Sequence, residues 1–209
     1  MNYPYGHFPT RNVYWDMDDT LCRTTDWFRQ KTKDYLIERN DFDGLREYQE
    51  LIENDIPYLN YPQKFMLINK ELTLSKGYIL EAKPTPLFSY FWLFHGHQPE
   101  GVNFNVITHR GVDEDVETMT REWFSKQNPV AELGRLHCLN HVDHPSKIRY
   151  LEKLHPDRDF ILIDDNPLFD IETVHKEHPC IRIYDQYSSY GEAYSNQKRI
   201  VFQNGIYLL

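Results

Sequence analysis

Asp16-Met17-Asp18-Asp19-Thr20 follows the apolar run Val13-Tyr14-Trp15. The run reads as a buried strand. Two carboxylates, Asp16 and Asp18, therefore stand two positions apart where that strand gives way to a loop. In an α/β sheet, ligands bind at this carboxyl edge of the strands. Backbone N–H groups leaving the strand can meet an anion there, and carboxylates can hold a cation or attack an electrophile. An acidic turn is the plainer reading of the five residues alone. What surrounds them decides between the two.

Downstream, residues 21–83 change to helical patterning. Thr24 or Thr25 is expected to N-cap a helix reaching about Arg39, with Phe28, Tyr35 and Leu36 inward. Asp43 is expected to cap a second helix, with Leu45, Tyr48 and Leu51 or Ile52 on one face. Pro57 and Pro62 break the run, and a third helix carries Phe65, Ile68 and Leu72. No strand interrupts this stretch, which is too long for an ordinary connecting loop. Residues 21–84 thus read as a helical insertion, and residues 1–20 with 85–209 as the main body.

That body alternates strand and helix. Thr85-Pro86 reads as an N-cap followed by Pro at the first helical position. Leu87, Tyr90, Phe91 and Phe94 then recur at helical spacing until His95-Gly96-His97. Residues 102–107 read as the second strand, ending at Thr108-His109-Arg110-Gly111. Val112, Val116, Met119 and Trp123 mark a helix with Asp113, Glu114 and Asp115 at its positive end. Residues 135–139 form a third strand. Pro145 opens a helix with Ile148, Leu151 and Leu154 inward and Lys147 in its first turn. Phe160-Ile161-Leu162-Ile163 is the cleanest buried strand, and Asp164-Asp165-Asn166-Pro167 after it is expected to cap a helix. Residues 180–184 give a fifth strand, and Ile200-Val201-Phe202 a short edge strand. Strands alternating with helices predict an α/β fold, a Rossmann-like parallel sheet with flanking helices and right-handed crossovers.

Composition sets the outer limits. The chain has 209 residues, of which 40% are hydrophobic and 26% charged, as in a soluble globular protein with one substantial core. No apolar run is long enough to span a bilayer. Residues 1–9 have neither a basic n-region nor an apolar h-region, so no secretory leader is expected. Cys22, Cys138 and Cys180 are widely spaced, which suits reduced thiols and a cytoplasmic setting. A net charge of −9 argues against extended nucleic-acid binding, which needs a basic footprint. It leaves room for a phosphate ligand, because a divalent cation and a few lysines reverse the local field. His137, His141 and His144 lack the Cys pair or tight His spacing of a zinc site.

Four polar groups stand at equivalent places along the strands: Asp16 and Asp18, Thr108, Lys147, and Asp164 with Asp165. Taken singly, Thr108 and Lys147 read as a cap or a surface residue, and Asp164-Asp165 as a helix cap. In this order and on these elements they resemble the haloacid dehalogenase (HAD) superfamily of phosphohydrolases. Its Asp-x-Asp-x-Thr motif is matched by residues 16–20, its strand-terminal Thr by Thr108, its Lys by Lys147 and its paired acids by Asp164-Asp165. The resemblance covers roughly residues 12–184. Asp19 departs from it, standing where many members carry Gly, which leaves the backbone shape of the loop open.

The resemblance implies a HAD-like core with a small helical C1 cap at residues 21–84. It implies Mg²⁺ held by the carboxylates of Asp16, Asp164 and Asp165, with Asp18 contributing its backbone carbonyl. Asp16 is then the nucleophile that forms an aspartyl-phosphate. Asp18 is the general acid and base. Lys147 stabilises phosphoryl charge and Thr108 hydrogen-bonds a phosphoryl oxygen. Thr20 orders the loop near the phosphate, and His109 and Arg110 either touch substrate or pack. The 88 positions from Thr20 to Thr108 are far more than a flap and one helix require, and an insertion there suits a cap over a small substrate. The layout is similar to the 5'(3')-deoxyribonucleotidase branch, which implies a nucleoside monophosphate, with Trp27 and Phe28 available to stack on a base. Residues 108–123 also resemble the corresponding stretch of polynucleotide kinase-phosphatases, which leaves a polynucleotide 3'-phosphatase open. A catalytically silent HAD fold acting as a binding protein is the third reading.

Overall fold

The computed structural model describes residues 10–56, 58–96, 101–111, 113–129, 133–167, 176–184, 187, 194–203 and 206–208. The chain divides into two compact units, one made from the chain up to Cys22 and from Pro84 onward, the other Arg23–Lys83.

The larger unit is built on five parallel strands. These are β1 (Asn12–Asp16), β2 (Asn103–Thr108), β3 (Arg135–Cys138), β4 (Phe160–Asp164) and β5 (Ile181–Ile183), in the spatial order β3-β2-β1-β4-β5. β1 is central: Trp15 pairs with Val106 on one side and Ile163 on the other, and Asp16 lies beside Ile107. Strands covered on both faces are expected to be continuously apolar, and β1, β2 and β4 are buried over nearly their whole length. Because successive side chains alternate between faces, Tyr14 and Trp15 serve different layers. Tyr14 packs with Leu162, Ile107 and Phe160, and with Ile148 and Leu151 from the helix Lys147–Leu154. Trp15 meets Phe91 of the helix Pro86–Gly96 edge-on at 5.6 Å, and Phe88 of that helix meets Trp123 of the helix Glu114–Gln127 at 5.0 Å. The architecture is therefore the expected three-layer α/β fold.

Several local expectations change. Ser146, not Pro145, caps the helix Lys147–Leu154, its hydroxyl accepting from the Arg149 N–H. Leu154 is exposed rather than inward, because the helix ends there and His155 leaves it with non-helical backbone. The 200–202 stretch is divided. Residues 198–200 add backbone bonds to Ile183 at the sheet margin, whereas Val201–Gln203 leaves to pair antiparallel with Ile206–Leu208. The helix expected after Pro167 falls outside the described residues.

The second unit contains α-helices Thr24–Glu38, Phe42–Glu53, Gln63–Leu74 and Gly77–Glu81, with a 3₁₀ turn Tyr58–Asn60. The helix Gly77–Glu81 and the 3₁₀ turn add to the three helices expected from the sequence. Its core is Leu36, Tyr48, Phe65 and Ile68, flanked by Tyr35, Leu45, Leu51, Ile52, Tyr61 and Leu72. The caps shift by one or two positions. Arg23 precedes the first helix without a side-chain cap, so Thr24 is its first residue, and Asp41 rather than Asp43 caps the second by accepting from the Gly44 N–H. Trp27 is buried within this unit, edge-on to Phe28 at 5.1 Å, with its indole N–H donating to Glu81. That packing withdraws the indole from the base-stacking role considered for it. No described helix is long and apolar enough to cross a membrane.

Candidate active site

Asp16, Thr108 and Asp164 close three neighbouring parallel strands, so the register alone brings them to one edge of the sheet. Lys147 reaches the same place from the first residue of its helix. Its ammonium lies 2.5 Å from Asp16 Oδ1 and 2.8 Å from Asp164 Oδ2. All three side chains are more than nine-tenths buried. Asp165 is half-buried beside them, and one carboxylate oxygen from each of Asp16, Asp164 and Asp165 falls within 4.8 Å of the others.

Three carboxylates around one ammonium leave an excess of negative charge in a dry place. Burial, with the neighbouring Asp164 and Asp18 adding to it against Lys147, pushes the Asp16 carboxyl well above its ordinary range. Burial and the carboxylates of Asp164, Asp16 and Asp19 do the same to Asp165. Burial alone would lower Lys147, but Asp16 and Asp164 outweigh it and hold the ammonium above its usual range. An all-oxygen donor set carrying surplus negative charge fits a hard divalent cation such as Mg²⁺. Asp16, Asp164 and Asp165 could hold it.

The loop after β1 is tied down from several sides. The Thr20 hydroxyl accepts from the Asp165 N–H at 3.0 Å and faces Asp165 Oδ1 at 3.4 Å. The Thr85 hydroxyl donates to the Thr20 carbonyl at 2.6 Å. In the sequence Thr85 marks only a cap, and no local pattern announces a bond across 65 positions. Asp164 Oδ1 accepts from the Asn166 N–H at 2.8 Å, which fixes the turn that carries both acids. Asp19 has φ of 57°, the left-handed region favoured by Gly, while its N–H donates to the Cys22 carbonyl at 2.7 Å. The loop therefore keeps a glycine-type backbone at a non-glycine residue.

The Asp18 carboxylate does not join the acidic trio. Arg110 takes it in a fork, Nη2 to Oδ1 at 2.6 Å and Nε to Oδ2 at 3.0 Å, and Thr108 Oγ1 lies 3.4 Å from Oδ2. His109 turns elsewhere. Its Nε2–H donates to the His144 carbonyl at 2.7 Å, and its ring stacks on His141 at 4.0 Å. Burial first, then Lys147 and His141, hold His109 down to about 4, so the ring is neutral. His137 faces the Tyr150 hydroxyl at 3.1 Å, and His144 meets the Tyr150 ring at 5.0 Å. The sequence offered no sign that Arg110 belongs with Asp18, or that Cys22 would stand beside both.

No protein-family model matches the sequence, and no curated protein matches it. Solved structures share the fold. CbbY from Rhodobacter sphaeroides in complex with phosphate aligns with a TM-score of 0.52 at 13% identity, over 94% of this chain and 95% of the other. A CbbY mutant in complex with xylulose-(1,5)bisphosphate gives 0.51 at 12% identity, over 94% and 95%. A predicted phosphatase from Clostridium acetobutylicum gives 0.51 at 13% identity, over 91% and 93%. At such identities the likeness is one of architecture, and the five-stranded parallel sheet with flanking helices is the HAD-like α/β fold.

Proposed function

We propose that the protein is a Mg²⁺-dependent phosphatase that hydrolyses a small phosphate monoester. The observation that carries this reading is the trio Asp16, Asp164 and Asp165 within 4.8 Å of one another, with Lys147 bonded to two of them and Asp18 two residues from Asp16. A phosphate monoester repels anionic nucleophiles, so a site that hydrolyses it must supply positive charge beside a carboxylate. Asp16, Asp164 and Asp165 would hold Mg²⁺, which would supply that charge as a Lewis acid.

The chain's own groups do the rest. A carboxylate oxygen of Asp16 attacks phosphorus and forms an O–P bond as the bond to the leaving oxygen breaks. Asp18 gives its proton to that oxygen, which departs as an alcohol. Water then attacks the phosphorus of the aspartyl-phosphate and returns a proton to Asp18. The Asp16–phosphorus bond breaks, and inorganic phosphate leaves. Lys147 steadies charge on the transferring group, Thr108 donates to a phosphoryl oxygen, and Thr20 fixes the loop. We take the inserted helical unit as a C1 cap, and the protein as a cytoplasmic enzyme acting on small substrates.

For the substrate we take a nucleoside monophosphate, as in the deoxyribonucleotidases that the sequence resembles. A sugar phosphate is the second reading, favoured by xylulose-(1,5)bisphosphate in CbbY, which shares the fold. The test is phosphate release from deoxynucleotides, ribonucleotides, sugar phosphates and a 3'-phosphorylated oligonucleotide, with Mg²⁺ or with chelator. Turnover that needs Mg²⁺ and vanishes in Asp16→Asn supports the mechanism, and the class that turns over names the substrate. Turnover that persists in Asp16→Asn rules it out.

A further inference from the structure

We infer that Arg110 is a positioning residue for Asp18, setting the aim of the carboxyl group that moves the proton, rather than a ligand of the substrate phosphate. This rests on the reading of Asp18 as general acid and base. Arg110 would be a natural phosphate ligand if its guanidinium faced the site. Instead its side chain is 1% exposed, and its Nε–Nη2 edge is turned to the loop. Nη2 and Nε take Oδ1 and Oδ2 of Asp18 at 2.6 and 3.0 Å. Nη2 also lies 3.0 Å from Cys22 Sγ, and the Cys22 thiol donates to the Met17 carbonyl. Arg110 thus grips the loop after β1 at two points from the end of β2, across 92 positions of chain.

A planar fork suits this task. It fixes the plane and the tilt of a carboxyl group together, which a point charge such as Lys cannot do. A carboxylate has about four acceptor sites on its two oxygens. Thr108 Oγ1, 3.4 Å from Oδ2, adds a contact from the same strand end to this carboxylate. Asp18 is 32% exposed, so without the fork its side chain has room to swing. Misplacing a general acid by a small distance is enough to lose most of its effect.

The test compares Arg110→Ala and Arg110→Lys with the wild-type protein on two substrates. One is the best alkyl phosphate from the panel, whose alcohol needs a proton to leave. The other is p-nitrophenyl phosphate, whose leaving group does not. For the alkyl phosphate, kcat/KM is expected to fall about 100-fold in Arg110→Ala, the scale of general acid catalysis, with little recovery in Arg110→Lys. For p-nitrophenyl phosphate, kcat and KM are expected to fall together, leaving kcat/KM within about threefold, because the later hydrolysis of the aspartyl-phosphate slows while its formation does not. Guanidinium ion added to Arg110→Ala is expected to restore alkyl phosphate turnover in part. An equal loss of kcat/KM on both substrates, or a rise in KM alone, overturns the inference and leaves the phosphatase reading intact. No phosphate release by wild-type protein from any substrate overturns both.

Discussion

The Lys147 ammonium lies 2.5 Å from the Asp16 carboxylate, with both side chains more than nine-tenths buried. Lys147 also bonds Asp164, so one buried cation neutralises parts of two strand ends at once. Removing one partner of a buried charge pair leaves the other uncompensated, at a cost of about 3–5 kcal/mol. Lys147→Met is therefore expected to lose about that much stability in urea titrations at pH 7 with chelator present. The deficit is expected to shrink as the pH falls toward 5, since protonation relieves the unpaired acids. A variant that unfolds at the wild-type urea midpoint contradicts this arrangement.

The same surplus of carboxylates predicts a metal response that can be read without any substrate. A ligand that binds only the folded chain stabilises it by about 2.7 kcal/mol at one hundred times its Kd. Wild-type protein is expected to melt several degrees higher in millimolar Mg²⁺ than in chelator. Asp164→Asn removes the charge of one of three close carboxylates and is expected to abolish most of that rise. Equal Mg²⁺ shifts in both proteins would show that the ion binds elsewhere.

The parts of this site that could be read from the sequence are those set by strand periodicity. Phe160-Ile161-Leu162-Ile163 is apolar throughout because it is covered on both faces, so the next residue, Asp164, falls at the strand end. The same logic places Asp16 and Thr108. Three parallel strands in register then put their ends side by side, whatever the loops do. Contacts made across the fold carry no such signal. Arg110 with Asp18 and Thr85 with Thr20 join residues 92 and 65 positions apart, and nothing in either neighbourhood marks the partner. Helix caps failed for a different reason. Asp41 and Asp43 are equally good caps chemically, and only the chain's path into the helix selects Asp41. Trp27 and Phe28 sat near the acidic loop in sequence, but the small unit needs their bulk for its own packing.

His109 gives the fold a measurable acid sensitivity. A free imidazole takes a proton near pH 6.5, whereas this one resists it down to about 4 because of burial, then Lys147 and His141. Between those values the unfolded chain binds a proton that the folded chain does not. Stability present at pH 7 is therefore lost as the pH falls through 6.5 toward 4. His109→Gln keeps an N–H for the His144 carbonyl and has nothing to titrate. Its loss between pH 7 and pH 4.5 is expected to be smaller than wild type by about 1 kcal/mol, allowing for the ring's partial exposure. His137, also held low by burial, contributes to both curves and cancels in the difference. Parallel curves in denaturant titrations would remove His109 as the source.

Asp19 provides the sharpest test of the loop backbone. Its φ of 57° is a left-handed conformation that costs an ordinary L-residue about 1–2 kcal/mol, less for Asp, whose short polar side chain can bond locally. Glycine adopts it without that penalty but orders a freer chain on folding. Asp19→Gly also removes a carboxylate that helps push Asp165 upward. Asp19→Ala removes the same charge but keeps a Cβ in the unfavourable region. The two variants therefore share the electrostatic gain and differ only in backbone. Asp19→Gly is expected to be more stable than Asp19→Ala by about 1 kcal/mol, and at least as stable as wild type in chelator. If the alanine variant equals or exceeds the glycine variant in urea titrations, the loop does not hold this left-handed turn. The Thr20 contacts to Asp165 would then need a different path out of β1.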